Sequence, residues 1–295
     1  STEKKISIQT GLAVAEAIKD IYNLEMVNLE KEIYESPHNL LDTDLVFNAL
    51  HGGDGENGNI QAYLDLHHIA YTGSGAKASN IAMDKNISKL IAQSVKIPTP
   101  KWVLIKRDPN SGLKLQNYNT PKFTYPYVVK PSNEGSTYGL SIVYDESELP
   151  KAIDLAAGYS DEILIEEYIP GRELTVGILG KKSLPIVEII PSHNFYDFEC
   201  KYTEGMSEYK VPADLSDSLV RKISEDALKI YNTIGCRHYA RSDFRLNEKD
   251  EYYFLEINTL PGMTSTSLLP KAAKAAGLEF PDLIDIIIKI ATSEQ

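Results

Sequence analysis

The sequence predicts an α/β protein with further α+β units, and two observations carry this prediction. Near the N-terminus, a buried strand (Asp44–Leu50) runs into a glycine-rich loop (His51–Gly58) and then into a helix (Ile60–Leu66). A strand that ends in such a loop and feeds a helix is typical of α/β sheets, which bind ligands at the carboxyl ends of their strands. Toward the C-terminus, two alternating segments within Tyr239–Leu268 predict a β-hairpin with its turn at Asn247–Glu251.

Length and composition are those of an ordinary globular chain. The 295 residues suffice for two or three compact units, and 42% are hydrophobic and 24% charged. A formal net charge of −12 argues against a general nucleic-acid or anionic-membrane binder. The two cysteines lack the spacing of a disulfide framework or zinc site, and we find no signal peptide or membrane span. We therefore expect a cytoplasmic protein without a nucleic-acid or membrane partner.

The other elements follow in chain order. We expect helices at Gly11–Ile21, Lys77–Val95, Glu146–Ala157, Leu215–Ile234, Ser267–Ala276 and from Pro281, and strands at Leu24–Leu29, Ile69–Thr72, Tyr127–Lys130, Glu162–Tyr168, Glu173–Leu179 and Pro185–Ile190. Prolines between Lys96 and Tyr127 indicate a connector and an edge strand. The segment Pro191–Pro212 is expected to be a long irregular loop, and its aromatic residues argue against disorder. We divide the chain into three units, 1–78, 79–167 and 168–295.

The hairpin gathers oxygen atoms on one face. With a period of two, one strand presents Arg241, Asp243 and Arg245, and the return strand presents Phe254, Glu256 and Asn258. If these faces meet, two carboxylates and an amide oxygen converge with Arg241 beside them, and something must offset the like charges across the strands. Such oxygens suit Mg²⁺, which favours carboxylates and substrate phosphates. The alternative is a solvated hairpin with scattered charge.

Two lysines and a loop add the parts of a phosphate site. Taken singly, Lys85 in a helix and Lys130 at a strand end would be surface lysines. The glycine-containing loop Ser132–Gly139 can donate backbone N–H groups to phosphates. The strand break at Glu166–Glu173 can expose backbone groups to an adenine edge, or it is a simple turn between strands. Together with the hairpin, these parts predict a site for a nucleoside triphosphate with Mg²⁺.

The chain at this point resembles the ATP-grasp superfamily and, within it, the D-alanine–D-alanine ligases. The resemblance runs from Ser1 to the final helix. It rests on Ala49-Leu-His-Gly-Gly, Gly55-Glu-Asn-Gly, Tyr71-Thr-Gly-Ser-Gly, Ala82-Met-Asp-Lys, Val129-Lys-Pro-Ser, Glu134-Gly-Ser, Phe195-Tyr-Asp-Phe-Glu-Cys-Lys-Tyr, Ala240-Arg-Ser-Asp, Glu256-Ile-Asn, Pro261-Gly-Met-Thr and Ser267-Leu. It implies an ATP-grasp fold with an N-terminal Rossmann-like α/β domain, a small central α+β domain and a C-terminal α+β domain.

The resemblance also implies a reaction. ATP would phosphorylate the carboxylate of a first D-alanine, and the amine of a second D-alanine would attack the acyl phosphate. The products would be ADP, phosphate and a dipeptide for peptidoglycan precursor synthesis. Two Mg²⁺ ions (or Mn²⁺), two D-alanine subsites and a homodimer are implied as well. The alternatives are a ligase that uses D-lactate or another D-amino acid and a non-catalytic ATP-grasp binding protein.

Each candidate residue then receives an implied role. ATP phosphates would contact Lys85, Lys130 and Lys201; Glu166, Tyr168 and Ile169 would frame the adenine, and Glu173 would bind the ribose. Asp243, Glu256 and Asn258 would ligate the metal ions, while Arg241 and the N–H group of Gly262 would stabilise the oxyanion. Ser267 and Leu268, where a helix begins, would bind the second carboxylate. Glu3 would pair with the first ammonium beside His51, and Ser136 and Tyr202 would link Glu3 to the long loop.

Two departures from the family concern the N-terminus. In the family, a first strand and a Gly-Gly turn precede the equivalent of Glu3, whereas this sequence begins at Ser1. Either the sheet lacks that strand or the gene product begins earlier. The residue after the glutamate is Lys4, where the family usually has arginine or histidine.

Overall fold

Two antiparallel sheets organise the middle and the C-terminal part of the chain. The structure is a computed structural model that describes residues 3–29, 38–106, 124–192 and 205–293. The helices are α1 (Lys4–Ile18), α2 (His38–Leu41), α3 (Asn59–Leu66), α4 (Ala76–Met83), α5 (Lys85–Ser94), α6 (Leu149–Ala157), α7 (Asp217–Ile234), α8 (Leu268–Ala275) and α9 (Phe280–Ser293). The strands are β1 (Trp102–Lys106), β2 (Tyr127–Pro131), β3 (Ser141–Val143), β4 (Glu162–Glu167), β5 (Arg172–Leu179), β6 (Lys182–Ser183), β7 (Val187–Pro191), β8 (Ser207–Lys210), β9 (Tyr239–Leu246) and β10 (Tyr252–Asn258).

The first sheet has four strands in the order β1-β4-β2-β3. The edge strand predicted within the proline-rich stretch is β1, which pairs with β4 alone. Val129 and Ile165 are fully buried against α6, which covers one face of this sheet. The other face is therefore free to line a cleft.

The second sheet has six strands, with β10-β9-β5-β7-β8 in sequence and β6 beside β5. Buried side chains of α4, α5 and α7 share a core with β5, β9 and β10. A further core joins α1, α8 and α9 to β7. Helix α8 packs closely on β5 because Gly177 has no side chain; a Cβ there would lie 2.7 Å from Leu269 Cδ1.

The helix expected over Lys77–Val95 is in fact two helices. Asp84 between them adopts an extended conformation (φ −83°, ψ 101°), and its carboxylate caps α5 by accepting the N–H of Ile87. The capping preference of aspartate wins over the continuous apolar periodicity. This break brings the backbone N–H of Lys85 to within 3.0 Å of the Ser132 carbonyl, next to the glycine-containing loop.

Four expected elements differ from the sequence prediction. Within the described residues, no strand forms over 24–29, and the strands expected over 44–50 and Ile69–Thr72 are reduced to one parallel bridge between Val46 and Tyr71. A β-ladder requires several consecutive residue pairs, whereas Val46 pairs with Tyr71 at one position only. The segment Pro191–Pro212 is not wholly irregular, because β8 pairs with β7 through Ile189 and Tyr209.

Candidate active site

The predicted hairpin forms and brings its oxygen ligands together. Glu256 lies opposite Asp243, and Asn258 lies opposite Arg241, in adjacent antiparallel strands. The convergence expected from alternation is therefore confirmed for these four residues.

The prediction that Phe254 shares the face of Glu256 is wrong. The register shifts between Phe254 and Glu256, so that Phe254 pairs with Phe244 and is 0% exposed in the core. Leu255 is the extra residue of this bulge and points into the cleft beside Glu256. A bulge places two residues opposite one and re-aims the strand, which strict alternation does not reveal.

Two cations offset the paired carboxylates. Arg241 donates from Nε and Nη2 to the two oxygens of Asp243, both at 2.9 Å, and the Thr175 hydroxyl donates to Oδ1 at 2.6 Å. Lys85 Nζ lies 3.1 Å from Glu256 Oε2 and donates to the Glu134 carbonyl at 2.6 Å. Like charges across a strand pair are thus each matched by a neighbouring base.

The donor set fits Mg²⁺ that is completed by phosphate oxygens. In the part of the chain that the structure describes, no three Asp, Glu, His or Cys side chains cluster as a self-sufficient metal site. Asp243 and Glu256 supply two carboxylates on adjacent strands, and Asn258 adds an amide oxygen that accepts the Leu260 N–H at 2.7 Å. Mg²⁺ typically takes one or two protein carboxylates and leaves the remaining positions to water and phosphates.

A cleft of about 140 Å³ opens between the two sheets. It is lined by Lys85, Lys130, Glu166, Tyr168, Ile169, Glu173, Asp243 and Glu256, among others. The structure therefore brings together the described residues that the resemblance assigns to ATP. Lys201 lies outside the described residues.

A buried ion pair joins two neighbouring strands of the first sheet, β2 and β4, beside this cleft. Lys130 Nζ lies 2.6 Å from Glu166 Oε1, and Glu166 is only 2% exposed. Burial raises the pKa of Glu166, but the ammonium groups of Lys130 and Lys89 outweigh burial and hold this pKa below its usual range. The carboxylate is therefore charged at neutral pH.

A second cleft of about 230 Å³ adjoins the first. Its lining includes Glu3, His51, Ser136, Arg241, Gly262, Ser267 and Leu268, which are the described residues assigned to the substrate and the oxyanion. Tyr202 lies outside the described residues.

Helix α1 and the loop after residue 50 build one wall of this second cleft. His51 is 4% exposed; its Nε2 lies 2.8 Å from the Thr10 hydroxyl and its Nδ1 lies 3.3 Å from Glu56 Oε1. The backbone N–H of His51 donates to the Ser7 hydroxyl at 2.8 Å. Because Ser7 and Thr10 belong to α1, these bonds fix the start of the helix, where Glu3 is 6% exposed.

The start of α8 forms the opposite wall. Ser267 is the N-cap residue, and its hydroxyl lies 2.8 Å from that of Thr264 and accepts the Thr264 N–H at 3.2 Å. A Cβ on Gly262 would lie 3.0 Å from the Ser267 hydroxyl, so a side chain there would crowd this turn. A helix N-terminus of this kind favours an anionic ligand.

Known families match nearly the whole chain. The family described as D-ala D-ala ligase C-terminus matches residues 91–289, and D-ala D-ala ligase N-terminus matches 31–74. The chain is 43% identical over 292 residues to a D-alanine–D-alanine ligase of Aquifex aeolicus, covering 98% of this chain and 96% of the relative. The chain belongs to the D-alanine–D-alanine ligase family.

Solved structures of this ligase family confirm the ATP-grasp fold. The chain superposes on the D-alanine–D-alanine ligase from Bacillus anthracis complexed with ATP with a TM-score of 0.87 at 34% identity, covering 100% of this chain and 94% of that one. It also superposes on the VanG D-Ala:D-Ser ligase from Enterococcus faecalis with a TM-score of 0.83 at 29% identity, covering 99% and 96%. Among the described residues, none of the helices is both long and apolar enough to cross a membrane.

The residue-level prediction of this ligase site missed several side chains. Arg245 holds the strand break, because it donates to the carbonyls of Ile169 and Gly171 at 3.0 and 2.7 Å and pairs with Glu173 at 3.3 Å. The sequence offered one signal for Arg245, which is that it shares a strand face with Asp243. The further members are Lys89, Thr10, Glu56 and Tyr209, which come from two helices, a loop and a strand that alternation alone does not connect.

Proposed function

We propose that this chain joins two D-alanines and that ATP is cleaved to ADP and phosphate in the reaction. The observation that carries the proposal is the junction of the two clefts. Lys85, Arg241 and Glu256 line both of them, so a phosphoryl donor in one and a carboxylate acceptor in the other meet at the hairpin. Holding the reacting groups in one geometry supplies a large part of the rate enhancement in phosphoryl transfer.

The first cleft would hold ATP. Lys85 and Lys130 would contact the phosphates, and Lys201 would add to them from the long loop. Glu166, Tyr168 and Ile169 would frame the adenine, and Glu173, held by Arg245, would bind the ribose. The described residues among these line the same cleft, which supports this assignment.

Asp243, Glu256 and Asn258 would hold Mg²⁺, with Mn²⁺ as a substitute. When bound, the metal neutralises charge on the transferring phosphoryl group. Arg241 and Lys85 lie beside these carboxylates and hold them in position.

The second cleft would hold both D-alanines. Glu3 would pair with the ammonium group of the first D-alanine, beside His51. The carboxylate of this first D-alanine would face the ATP cleft across Ser136. The second carboxylate would bind at the start of α8, at Ser267 and Leu268. When the second amine attacks, Arg241 and the N–H group of Gly262 would stabilise the developing oxyanion. Tyr202 would join Ser136 and Glu3 when the long loop covers the site.

The proposal extends to the setting of the enzyme. We propose a cytoplasmic homodimer with a role in peptidoglycan precursor synthesis and with units at 1–78, 79–167 and 168–295. The family resemblance supports each of these, and exposed apolar side chains of α1, Ile8 and Leu12, support association. Light scattering of the purified protein would measure the dimer directly.

Phosphate release with ATP, Mg²⁺ and D-alanine tests the proposed reaction. We expect release to require all three components, and chromatography should identify D-alanyl-D-alanine as the product. Competition with D-lactate and D-serine at neutral pH tests the second substrate, and the dipeptide should dominate. Absence of phosphate release would leave an ATP-grasp binding protein, and a dominant depsipeptide or D-alanyl-D-serine would reassign the second subsite.

A further inference from the structure

One fully buried lysine lies beside the first cleft, which we call the nucleotide cleft, and is not used by the proposed reaction. Lys89 lies one turn after Lys85 on α5, and its side chain is 0% exposed. Lys89 does not line either cleft in the part of the chain that the structure describes. Burying an ammonium group costs free energy unless an opposite charge pairs with it.

The partner of Lys89 is the carboxylate that Lys130 also contacts. Lys89 Nζ lies 2.8 Å from Glu166 Oε2, and Lys130 Nζ lies 2.6 Å from Glu166 Oε1. Lys89 is also 5.3 Å from the ring centroid of Trp102. A single buried carboxylate is thus shared by two lysines, one on each oxygen.

The two lysines differ in their freedom to move. Lys130 lines the nucleotide cleft, so it can turn toward phosphates without crossing the core. Lys89 is held from a second side, because its ammonium donates to the Thr99 hydroxyl at 2.7 Å, which in turn donates to the Phe254 carbonyl at 2.8 Å. The N–H of Phe254 donates to the Pro98 carbonyl at 2.8 Å, so this anchor is the bulged strand itself.

Binding of a nucleotide would change the partners of Glu166. If Lys130 moved to the phosphates and were the only base present, Glu166 would become a buried charge without a counter-ion. Removing one partner of a buried pair is strongly unfavourable for this reason. With Lys89 in place, Glu166 keeps a counter-ion throughout.

We propose that Lys89 is a positioning residue that keeps Glu166 paired while Lys130 is transferred to the ATP phosphates. The inference rests on the proposed function, since it takes Lys130 to be a phosphate ligand. Lys89 itself touches no substrate. It raises the affinity for ATP by lowering the cost of the transfer.

The charge balance around Lys89 is consistent with this role. Burial lowers the pKa of Lys89 to about 8, Glu166 opposes this shift, and the like charge of Lys130 adds to it. The ammonium is therefore charged at neutral pH. Departure of Lys130 removes a repulsion and strengthens the remaining pair with Glu166.

Lys89→Met tests the proposal, because methionine keeps the apolar stem and removes the charge. We expect the KM for ATP to rise about 10- to 100-fold, the range for loss of a charged hydrogen bond. The kcat and the KM for D-alanine should stay near the wild-type values. The matched control is Lys229→Met, an exposed lysine of α7 that bonds to the Val95 carbonyl after α5 and should leave all three constants unchanged.

The same substitution in a Lys130→Met background separates positioning from a purely structural role. Without Lys130 there is no transfer, so Lys89→Met should change ATP binding little, as measured by calorimetric titration. An equal loss of affinity in both backgrounds, or a wild-type KM for ATP in Lys89→Met, would overturn the proposal. Both results presuppose an active wild-type ligase, so inactivity of the wild type would count against the proposed function instead.

If Lys89→Met does not fold, Glu166→Gln provides the second route. Glutamine removes the buried charge that Lys89 serves, and Lys89→Met added to it should fold and leave the affinity for ATP at the value of Glu166→Gln alone. A further loss of about tenfold or more in the double variant would contradict the proposal, because Lys89 would then act on ATP without Glu166.

Discussion

The two halves of the site are built in different ways. The nucleotide half, which is the first cleft, lies on neighbouring strands. Its charged groups face each other across these strands: Glu256 with Asp243, and Glu173 with Arg245. The amino-acid half is assembled from the start of α1, the loop that contains His51 and the start of α8. Hydrogen bonds join α1 to the His51 loop, and the hydroxyls of Thr264 and Ser267 brace the start of α8. Strand register would hold phosphates and a metal ion rigidly, whereas loops and helix ends would shape the pocket that selects the substrate.

The largest expected effect is at the hairpin, which both halves share. Glu256→Gln keeps the shape of the side chain but removes the charge that would bind the metal. We expect kcat to fall by roughly three to four orders of magnitude, equivalent to several kcal/mol of transition-state stabilisation. Steady-state phosphate release measures this, and circular dichroism should show an unchanged fold.

Glu248→Gln is the matched control, since this glutamate is exposed in the turn of the same hairpin. It should leave kcat unchanged. Near-normal turnover of Glu256→Gln would mean that the metal assignment is wrong.

A smaller effect is expected on the amino-acid half alone. Glu3→Gln removes the charge proposed to pair with the first ammonium, an interaction worth about 1.5–3 kcal/mol. The KM for D-alanine should therefore rise about 10- to 100-fold, while the KM for ATP stays near its wild-type value.

Glu16→Gln on the same helix is the control, because this exposed residue pairs with Lys19 on the surface of α1. It should leave both Michaelis constants unchanged. A shift in the KM for ATP of Glu3→Gln, as large as that for D-alanine, would show that the two halves are not separable.

The smallest expected effect is a pH dependence of the nucleotide half. Lys89 faces Glu166 from β4, Lys130 from β2 and Glu256 from β10, and burial lowers its pKa to about 8. Transfer of Lys130 to the phosphates would raise this pKa, so ATP binding would take up a proton above pH 8. The KM for ATP should be flat below pH 8 and rise above it, by at most about tenfold per pH unit.

The variant Lys89→Met should lack this rise, whereas Lys229→Met should retain it. A rise of the same size in Lys89→Met would assign the pH dependence to another group.

Sequence patterns predicted the strand-built half well and the loop-built half poorly. A period of two was enough to bring Asp243, Glu256 and Asn258 to one place, because register follows from alternation. The same period misplaced Phe254, since an inserted residue at Leu255 reverses the alternation and only packing against Phe244 determines where it lies.

For the amino-acid half, no local pattern connects Glu3 with His51 or with Ser267. These residues are far apart in the chain and meet only through tertiary packing, so their grouping came from the family resemblance. Lys89 was not predicted as a site residue for a related reason. A lysine four residues after Lys85 is usually a solvated side chain, and its burial depends on Glu166, which lies on β4 of the first sheet.

The central claim is that ATP activates the carboxylate of a D-alanine at the junction of the two clefts. Oxygen transfer from that carboxylate to phosphate tests it most directly. With D-alanine labelled with ¹⁸O in both carboxylate oxygens, mass spectrometry of the released phosphate should show one labelled oxygen per phosphate. Attack of the amine on the acyl phosphate breaks the bond between the acyl carbon and the bridging oxygen, so phosphate leaves with one carboxylate oxygen. Release of unlabelled phosphate in step with product would contradict an acyl phosphate and with it this account of the site.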